Sequence, residues 1–465
     1  MQLLNPLDAA FLALESREHP MHVGALQLFD IDTDNGPSSV SELCNDITAI
    51  TDVQPRFRRR PSRAFGGFSN LSWNHSDEVD LDYHLTRIAV ADPGGMQQLR
   101  SVVSGLHSAL LDRHRPLWQS YLIEGLADGR LALYTKTHHA LMDGVSAIRL
   151  MQRTLDEDPD PTRLGVMWGA ARPRATGEGS SARGRRQRRG LPTPASLVAG
   201  ALDSARLLLA KELPRPMSAP VTMFNVPIGG ARSIAFRSWP LERIRAVQKV
   251  TETTVNDVVL AMCAAALRAY LAERAALPDA PLVALVPVSL RPGDNGDADG
   301  NGVGAALCDL ATHFADPVDR LFRIADSMRQ NKALFGRLPT SLALALSGLA
   351  MAPIAAFAVR GYPPLPRAPF NVAISNVAGP QTPMYLGGAR LDALYPLSLP
   401  LEGQALNITV TSNASNLDFG LVACRRAVPD LDRLLVHLDD GLAELEKATA
   451  DCGNSPAAGG TGASD

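Results

Sequence analysis

The chain is poor in cysteine, and its few cysteines are not spaced for a metal knuckle or a disulfide framework. The five cysteines among 465 residues are odd in number and scattered, and no two form a CxxC pair. Zinc knuckles and disulfide-stapled folds need closely spaced or paired cysteines, so neither is predicted, and a reducing cytoplasm is the expected compartment. The cysteines are Cys44, Cys263, Cys308, Cys424 and Cys452.

An export signal and an excess of basic charge are also missing. The N-terminus, MQLLNPLDAAFL, lacks the basic start and the long apolar core of a signal peptide, so secretion is not expected. The net charge of −3 argues against a chain devoted to nucleic acid. Hydrophobic residues make up 46% of the chain, which is enough for a large core, and the length predicts two or three domains.

One segment has a composition unlike the rest of the chain. Residues 170–194 are rich in Pro, Gly, Ser and Arg, and Glu178 is their only acid. Such a segment cannot bury enough apolar surface to order itself, so it predicts a linker, which is either a solvated spacer or is attracted to an anionic membrane surface. The predicted division is an N-terminal domain at 1–169, a linker and crossover at 170–220, a C-terminal domain at 221–450 and a disordered tail at 451–465.

A long uncharged stretch requires a membrane test. Leu338 to Val359 contains no charged residue and is nearly long enough to span a bilayer. Pro339 and Pro353 interrupt it, and small residues fill much of the remainder. The pattern favours an apolar helical hairpin over a membrane span.

The stretch Leu131 to Leu155 combines a strand pattern with a helix pattern. Its first half alternates in polarity, which predicts a strand, and its second half has apolar residues at helical spacing. Between them lies a polar turn, HHALMDG, from His138 to Gly144. A scaffold of this kind holds its loop in place, and a positioned imidazole can take and return a proton near neutral pH.

The residues of this turn leave several roles open. Adjacent histidines on an extended segment point to opposite faces, so one can face a reaction channel while the other packs behind it. Asp143 stands just before a helix start, where a carboxylate caps exposed N–H groups. Packing and proton transfer both fit; a metal site fits less well, because adjacent ligands chelate one metal poorly and no HExxH pattern is present.

The turn resembles the HHxxxDG motif of CoA-dependent acyltransferases with a chloramphenicol-acetyltransferase-like fold, a motif that also occurs in condensation domains of peptide synthetases. From residue 3 to about residue 430 the chain resembles the bacterial wax ester synthase/diacylglycerol acyltransferase family, with the matching segments in family order. These segments are PLDAAFLALES and PMHVGAL near the N-terminus, Pro116-Leu117-Trp118, Asn256-Asp257, Val286 to Arg291, Ser375 to Pro380 and Leu406 to Val410. Ala378 departs from the family, which more often has proline there.

The resemblance implies an α/β (α+β) fold of two chloramphenicol-acetyltransferase-like domains, with mixed sheets flanked by helices and an active-site channel at the domain interface. It implies that His139 is the general base and that no covalent acyl-enzyme forms. His138 would support it, and Asp143 would hold the loop with Arg291 as a candidate partner. Asn256, at a helix start, is a candidate oxyanion donor.

Further site residues follow from the same resemblance. The expected substrate contacts are Asp257, Ser375, Asn376 and Gly379, although Asp257 also lies where a structural role is expected. The expected structural residues are Gly144, Arg291, Pro116 and Trp118, and Trp118 is expected to be a packing anchor. No metal site is expected. No cofactor is expected either, because acyl-CoA is a substrate.

The predicted function is transfer of a long-chain acyl group from acyl-CoA to diacylglycerol, giving triacylglycerol, with wax ester formation from a fatty alcohol second. The alternatives are a condensation-type acyltransferase that uses carrier-bound acyl groups and a non-catalytic lipid-droplet-binding protein. Peripheral contact with the inner face of the membrane or with lipid droplets is expected, and Leu338 to Val359 would either contact lipid or line the acyl channel. The acceptor, the acyl-chain length and the oligomeric state are left open.

Overall fold

A computed structural model describes residues 2–63, 70–169, 217–289, 303–338, 340–361, 363 and 365–453. Most of the predicted linker, Arg291 and residues 454–465 of the predicted tail lie outside the described residues. The closing helix continues to Gly453, so the first residues of the predicted tail are helical.

In the N-terminal half a strand leads into the predicted turn and a helix follows it. Its strands are β1 (Gln2–Leu3), β2 (His22–Asp30), β3 (Arg59–Arg63), β4 (Asn70–His75), β5 (Leu85–Ala89), β6 (Trp118–Glu124) and β7 (Leu131–His138). Its helices are α1 (Pro6–Leu14), α2 (Val40–Thr48), α3 (Leu81–His84), α4 (Met96–Ser108) and α5 (Gly144–Thr154).

The C-terminal half begins with a strand after the predicted linker. Its strands are β8 (Arg232–Pro240), β9 (Val283–Ser289), β10 (Val303–Asp309), β11 (Val372–Val377), β12 (Tyr385–Leu386), β13 (Ala389–Leu397), β14 (Leu406–Asn413) and β15 (Asn416–Cys424). Its described helices are α6 (Leu241–Thr251), α7 (Val255–Ala272), α8 (Pro317–Arg337), α9 (Thr340–Arg360) and α10 (Asp432–Gly453).

Two six-stranded sheets organise these elements. The first has the order β12-β13-β2-β7-β6-β5 and is antiparallel except where β5 meets β6. The second has the order β10-β9-β11-β14-β15-β8, with parallel pairs on both sides of β11. A small sheet, β1-β4-β3, lies beside them. The mixed sheets confirm the predicted fold class.

The strand β13 shows that the predicted boundary does not separate the two halves. It follows residue 221 in the chain, yet it pairs with β2 of the first sheet, from Arg390 opposite Asp30 to Leu397 opposite Gly24. At Gly420 of β15 a Cβ would lie 1.9 Å from the Pro396 carbonyl oxygen, so the two sheets approach closely there. The predicted domain boundary at 170–220 is therefore wrong for β13, because this strand of the C-terminal half pairs with the edge of β2.

Packing joins the halves into a continuous core. One buried cluster contains Val103 and Tyr134 from the N-terminal half together with Phe236 and Tyr395 from the C-terminal half. The rings of Phe236 and Tyr395 stack with their centroids 4.6 Å apart. Apolar contact of this kind stabilises the fold in proportion to the area removed from water, so the two halves are packed as one body.

The uncharged stretch forms one helix rather than the predicted hairpin. Helix α9 continues through Pro353, although an interior proline costs a helix about 3 kcal/mol. Ile354 and Phe357 of α9 pack against Val283 and Phe370 of the second sheet region, and this burial offsets the cost. Among the described residues α7 is long and apolar enough to cross a membrane, but 72% of it is buried, as in the core helix of a folded domain.

Candidate active site

The turn between β7 and α5 is held by backbone hydrogen bonds from two other segments. The His138 N–H donates to the Leu117 carbonyl at 3.0 Å, and the His139 N–H donates to the Met21 carbonyl at 2.8 Å. Both partners belong to segments that the family resemblance had singled out. Those segments therefore support the turn from two sides.

His138 is fully buried and shapes the turn from inside. Its Nδ1 accepts a hydrogen bond from the Ala140 N–H at 3.0 Å, so the ring proton is assigned to Nε2. That atom lies 3.4 Å from the Glu15 carboxylate. Both ring nitrogens thus contact the protein interior, which agrees with a supporting role.

His139 occupies a different environment. Its ring is partly buried and stacks on Phe11 of α1, with centroids 4.0 Å apart and planes inclined by 23°. Burial lowers the pKa of His139 to about 4, although the nearby charge of Asp143 acts in the opposite direction. The imidazole is therefore neutral near pH 7 and can accept a proton.

Asp143 holds the C-terminal end of the turn, where α5 begins. It is the N-cap of α5: its Oδ1 accepts from the Ser146 N–H at 2.8 Å, and its Oδ2 accepts from the Ser146 hydroxyl at 2.9 Å. These contacts account for a loop-holding role. Its predicted partner, Arg291, lies outside the described residues. Gly144 opens α5, and a Cβ there would meet nothing within 4 Å, so sterics do not require glycine.

The helix start at Asn256 and Asp257 is built as a capping box. The Thr254 N–H and hydroxyl donate to Asp257 Oδ2 at 2.9 and 2.7 Å, and the Asp257 N–H donates to the Thr254 hydroxyl at 3.2 Å. Asp257 is 5% exposed. This arrangement satisfies orphan donors of the helix, so Asp257 has a structural role in the capping box, and its substrate contact stays a prediction.

Asn256 lies beside Asn376 at the end of β11. The Asn376 side-chain amide donates to Asn256 Oδ1 at 3.4 Å. This contact uses the acceptor of Asn256, whose NH2 group is the part that could donate to an oxyanion. Ser375 precedes Asn376 on β11 and pairs with Thr409 of β14, so both residues belong to a firmly paired strand.

Gly379 allows a close backbone approach just after β11. Its N–H donates to the Ser412 hydroxyl at 2.9 Å, and a Cβ there would lie 1.9 Å from the Ser412 carbonyl oxygen. Gln152 of α5 donates to the neighbouring Ala378 carbonyl at 3.1 Å. The helix that follows the histidine turn is thereby connected to the segment that contains the predicted residues of the C-terminal half.

Trp118 is a packing anchor. It is fully buried, and its ring stacks between His84 and Trp168 with centroid distances of 4.5 and 5.5 Å. Its indole N–H donates to the Phe57 carbonyl at 2.9 Å. Pro116 is buried just before it, so this segment positions β6 beside the strand that ends in His138.

A cavity of about 250 Å³ adjoins the turn at Ala140 and Leu141. Its other walls come from the start of α1, from the small sheet and from the turn just before β3; they are Leu3, Asn5, Asp8, Arg56, Arg59 and Trp73. Burial raises the pKa of Asp8, the Asn5 hydrogen bond opposes this shift, and the charge of Asp143 adds to it. The cavity therefore lies close to the charged groups of the turn.

Two residues around the histidines were missed in the sequence. Phe11 and Glu15 lie in the matching segment PLDAAFLALES, but no role was assigned to either. Their spacing of four places them on one face of a helical segment, which was an available signal. Nothing local indicated that this face would meet the turn.

Comparison with known proteins decides the family. The model described as the wax ester synthase/diacylglycerol acyltransferase catalytic domain matches residues 4–259, and the model of the C-terminal domain of the same family matches residues 299–446. The chain belongs to the wax ester synthase/diacylglycerol acyltransferase family. It is therefore an O-acyltransferase, and the predicted family and enzyme class are confirmed.

Individual relatives cover almost the whole chain. A probable diacylglycerol O-acyltransferase of Mycobacterium tuberculosis is 50% identical over 452 residues, covering 96% of this chain and 99% of the relative. The structure of the wax ester synthase/diacylglycerol acyltransferase from Marinobacter aquaeolei VT8 is 39% identical, with a TM-score of 0.75 and coverage of 97% and 100%. Both similarities extend over the two halves of this acyltransferase.

A more distant structure shares the fold. The first condensation domain of the calcium-dependent antibiotic synthetase has 16% identity and a TM-score of 0.59, with coverage of 97% of this chain and 96% of that domain. At this identity the likeness concerns the fold alone, so it supports the two-domain acetyltransferase-like architecture and not a condensation activity.

Proposed function

We propose that this acyltransferase moves a long-chain acyl group from acyl-CoA to diacylglycerol and also accepts fatty alcohols. The observation that carries the mechanism is the neutral, ring-stacked His139 at the turn between β7 and α5. The names of the relatives support the acceptors, since they describe diacylglycerol acyltransferases and a wax ester synthase. Diacylglycerol is the preferred acceptor.

His139 acts as the general base. It removes the proton of the acceptor hydroxyl while that oxygen attacks the thioester carbonyl, so a C–O bond forms and a tetrahedral intermediate results. The C–S bond then breaks, and the proton passes from His139 to the departing CoA sulfur. General-base help of this kind contributes about 10²- to 10⁴-fold, and no covalent acyl-enzyme is required.

Asn256 is the proposed oxyanion donor. Its first-turn position on α7 is fixed by the Thr254–Asp257 capping box, and its acceptor is already engaged by Asn376. An uncharged amide donor held in this way stabilises developing negative charge without reorganisation. The carrier-dependent alternative is not favoured, because its support is limited to the shared fold.

Membrane contact is proposed on the cytoplasmic face, where both lipid substrates are accessible. Helix α9, which has no charged residue before Arg360, exposes small residues, Gly348, Ala352 and Ala356, along one side. This surface suits peripheral contact with lipid or a lipid droplet. Sedimentation with anionic vesicles at low salt tests the idea, and a protein that stays entirely in the supernatant would contradict it.

The activity is tested by offering labelled palmitoyl-CoA with diacylglycerol and hexadecanol together and separating the products by thin-layer chromatography. Triacylglycerol should exceed wax ester, and His139→Ala should abolish most of both products. His114→Ala is the matched control, because its side chain is 78% exposed. Near wild-type turnover by His139→Ala would refute the general-base role.

A further inference from the structure

Glu15 is a buried carboxylate that lies just after α1 and gathers three segments around the histidine turn. Its side chain is only 2% exposed. The Arg113 Nε–H donates to it at 2.9 Å and the Met21 N–H at 3.2 Å, while His138 Nε2 lies 3.4 Å away. A buried carboxylate requires partners of this kind. Two of them are connected to the turn: Met21 accepts from the His139 N–H, and His138 belongs to the turn itself.

The backbone of Met21 connects Glu15 to His139 through two hydrogen bonds. The Met21 N–H donates to Glu15 Oε1, and the carbonyl of the same residue accepts from the His139 N–H at 2.8 Å. On the other side of His139, the Ala140 N–H donates to His138 Nδ1. The backbone on both sides of His139 is thus connected to Glu15, once through Met21 and once through the His138 ring.

Electrostatics favour an ionised Glu15. Burial alone raises the pKa of Glu15, but the contact with His138 and the charge and hydrogen bond of Arg113 outweigh it, and the net pKa lies below the usual value. An ionised Glu15 presents only acceptors, and its Oε1 lies 3.4 Å from His138 Nε2, whereas a protonated carboxyl or an amide would place a donor there. The charge state of Glu15 therefore matches the His138 tautomer that leaves Nδ1 free to accept from Ala140.

Helix α1 contacts His139 directly as well. Phe11, four residues before Glu15, stacks on the His139 ring. The helix begins with Pro6 after the N-cap Asn5, whose Oδ1 accepts from the Asp8 N–H at 2.7 Å. A capped helix start and a buried carboxylate at the far end hold this segment in place, so both histidines are oriented from the same element.

We propose that Glu15 is a positioning residue of the acyl-transfer site: it fixes the His138 tautomer and, through His138 and Met21, the backbone that orients His139. Glu15 does not touch the reacting atoms. The proposal rests on the proposed base role of His139, and it adds a residue outside the HHxxxDG motif to the site.

The first test compares Glu15→Gln, Glu15→Asp and the control Glu18→Gln. Glu15→Gln keeps the shape but introduces an amide donor, and kcat should fall about 10- to 100-fold, as expected for a misplaced base, with KM for palmitoyl-CoA little changed. Glu15→Asp should recover part of kcat because it keeps the charge. Glu18 is exposed, so Glu18→Gln should behave as wild type. Unchanged kcat in Glu15→Gln would overturn the proposal.

A double-mutant cycle with His138→Gln tests the pathway. If Glu15 acts through His138, the double variant should lose little more activity than the worse single variant, because residues of one network are non-additive. Independent action predicts that the two losses multiply, and that outcome would overturn the proposal.

A spectroscopic readout separates this proposal from the proposed function. In the ¹⁵N-histidine-labelled protein, the His138 signal, assigned by its loss in His138→Gln, should show protonation at Nε2 and should change in Glu15→Gln but not in Glu18→Gln. An unchanged signal in Glu15→Gln refutes the role of Glu15 even if His139 proves not to be the base. If Glu15→Gln fails to fold, the wild-type spectrum is the test, and a His138 ring protonated at Nδ1 rather than at Nε2 would overturn the proposal.

Discussion

The pH dependence of turnover tests whether the environment of His139 sets its protonation state. Burial lowers the pKa of His139 from its ordinary 6.5 to about 4. At about pH 6 a ring with the lowered pKa is about 99% neutral, whereas a ring with the ordinary pKa is about one quarter neutral. Because a general base must be neutral, kcat/KM at about pH 6 should remain close to kcat/KM at about pH 8.

The assay is kcat/KM for palmitoyl-CoA at low diacylglycerol over this range, since kcat/KM reports the free enzyme, to which this pKa of His139 applies. The folded state must be verified at each pH, because between about pH 4 and 6.5 the unfolded chain binds a proton that folded His139 does not. The unfolding free energy therefore decreases as the pH falls through that window.

Phe11→Ala provides the matched perturbation. Removal of the stacked ring admits water to His139 and should raise its pKa, so the acid limb of the rate profile should move to higher pH. The reasoning is refuted if the wild-type protein already loses about three quarters of kcat/KM at about pH 6 while remaining folded, as a pKa of 6.5 requires.

Two further predictions concern the C-terminal half. Gly379→Ala should lower the unfolding free energy by about 1–3 kcal/mol, as expected for overpacking, because its Cβ would lie 1.9 Å from the Ser412 carbonyl oxygen. Thermal denaturation measures this loss against the control Gly105→Ala, where a Cβ meets nothing within 4 Å, and equal unfolding midpoints of the two variants would contradict the prediction. Asn256→Ala should reduce kcat by about 10²-fold, the effect of losing one oxyanion donor, and steady-state kinetics that show only a rise in KM for acyl-CoA would count against this role.

Local patterns were sufficient for the elements that hold the turn. The alternation before His138 and the helical spacing after Gly144 predicted β7 and α5, and the structure places them at Leu131–His138 and Gly144–Thr154. The cap at Asp143 was equally readable, because capping depends on residues within one turn. Such signals need no knowledge of distant parts of the chain.

Tertiary packing determined two features that local sequence patterns could not predict, the continuity of α9 and the pairing of β13. The sequence predicted a hairpin in the uncharged stretch, but contacts of Ile354 and Phe357 with the second sheet region keep α9 continuous past Pro353. The predicted boundary likewise missed β13, because its partner β2 lies more than three hundred residues earlier and pairing between remote strands leaves no local periodicity.

The resemblance of HHALMDG and the segments around it to a known family predicted the acyltransferase, which the family match confirms, and it also predicted His139 as the base. The residue types and the local scaffold alone left packing, proton transfer and metal binding open. The unequal roles of the two histidines depend on the tertiary structure. Glu15 meets His138 and Phe11 meets His139 across separations of more than a hundred residues. Tautomer and pKa are set by burial and neighbouring charge, which exist only after the chain has folded.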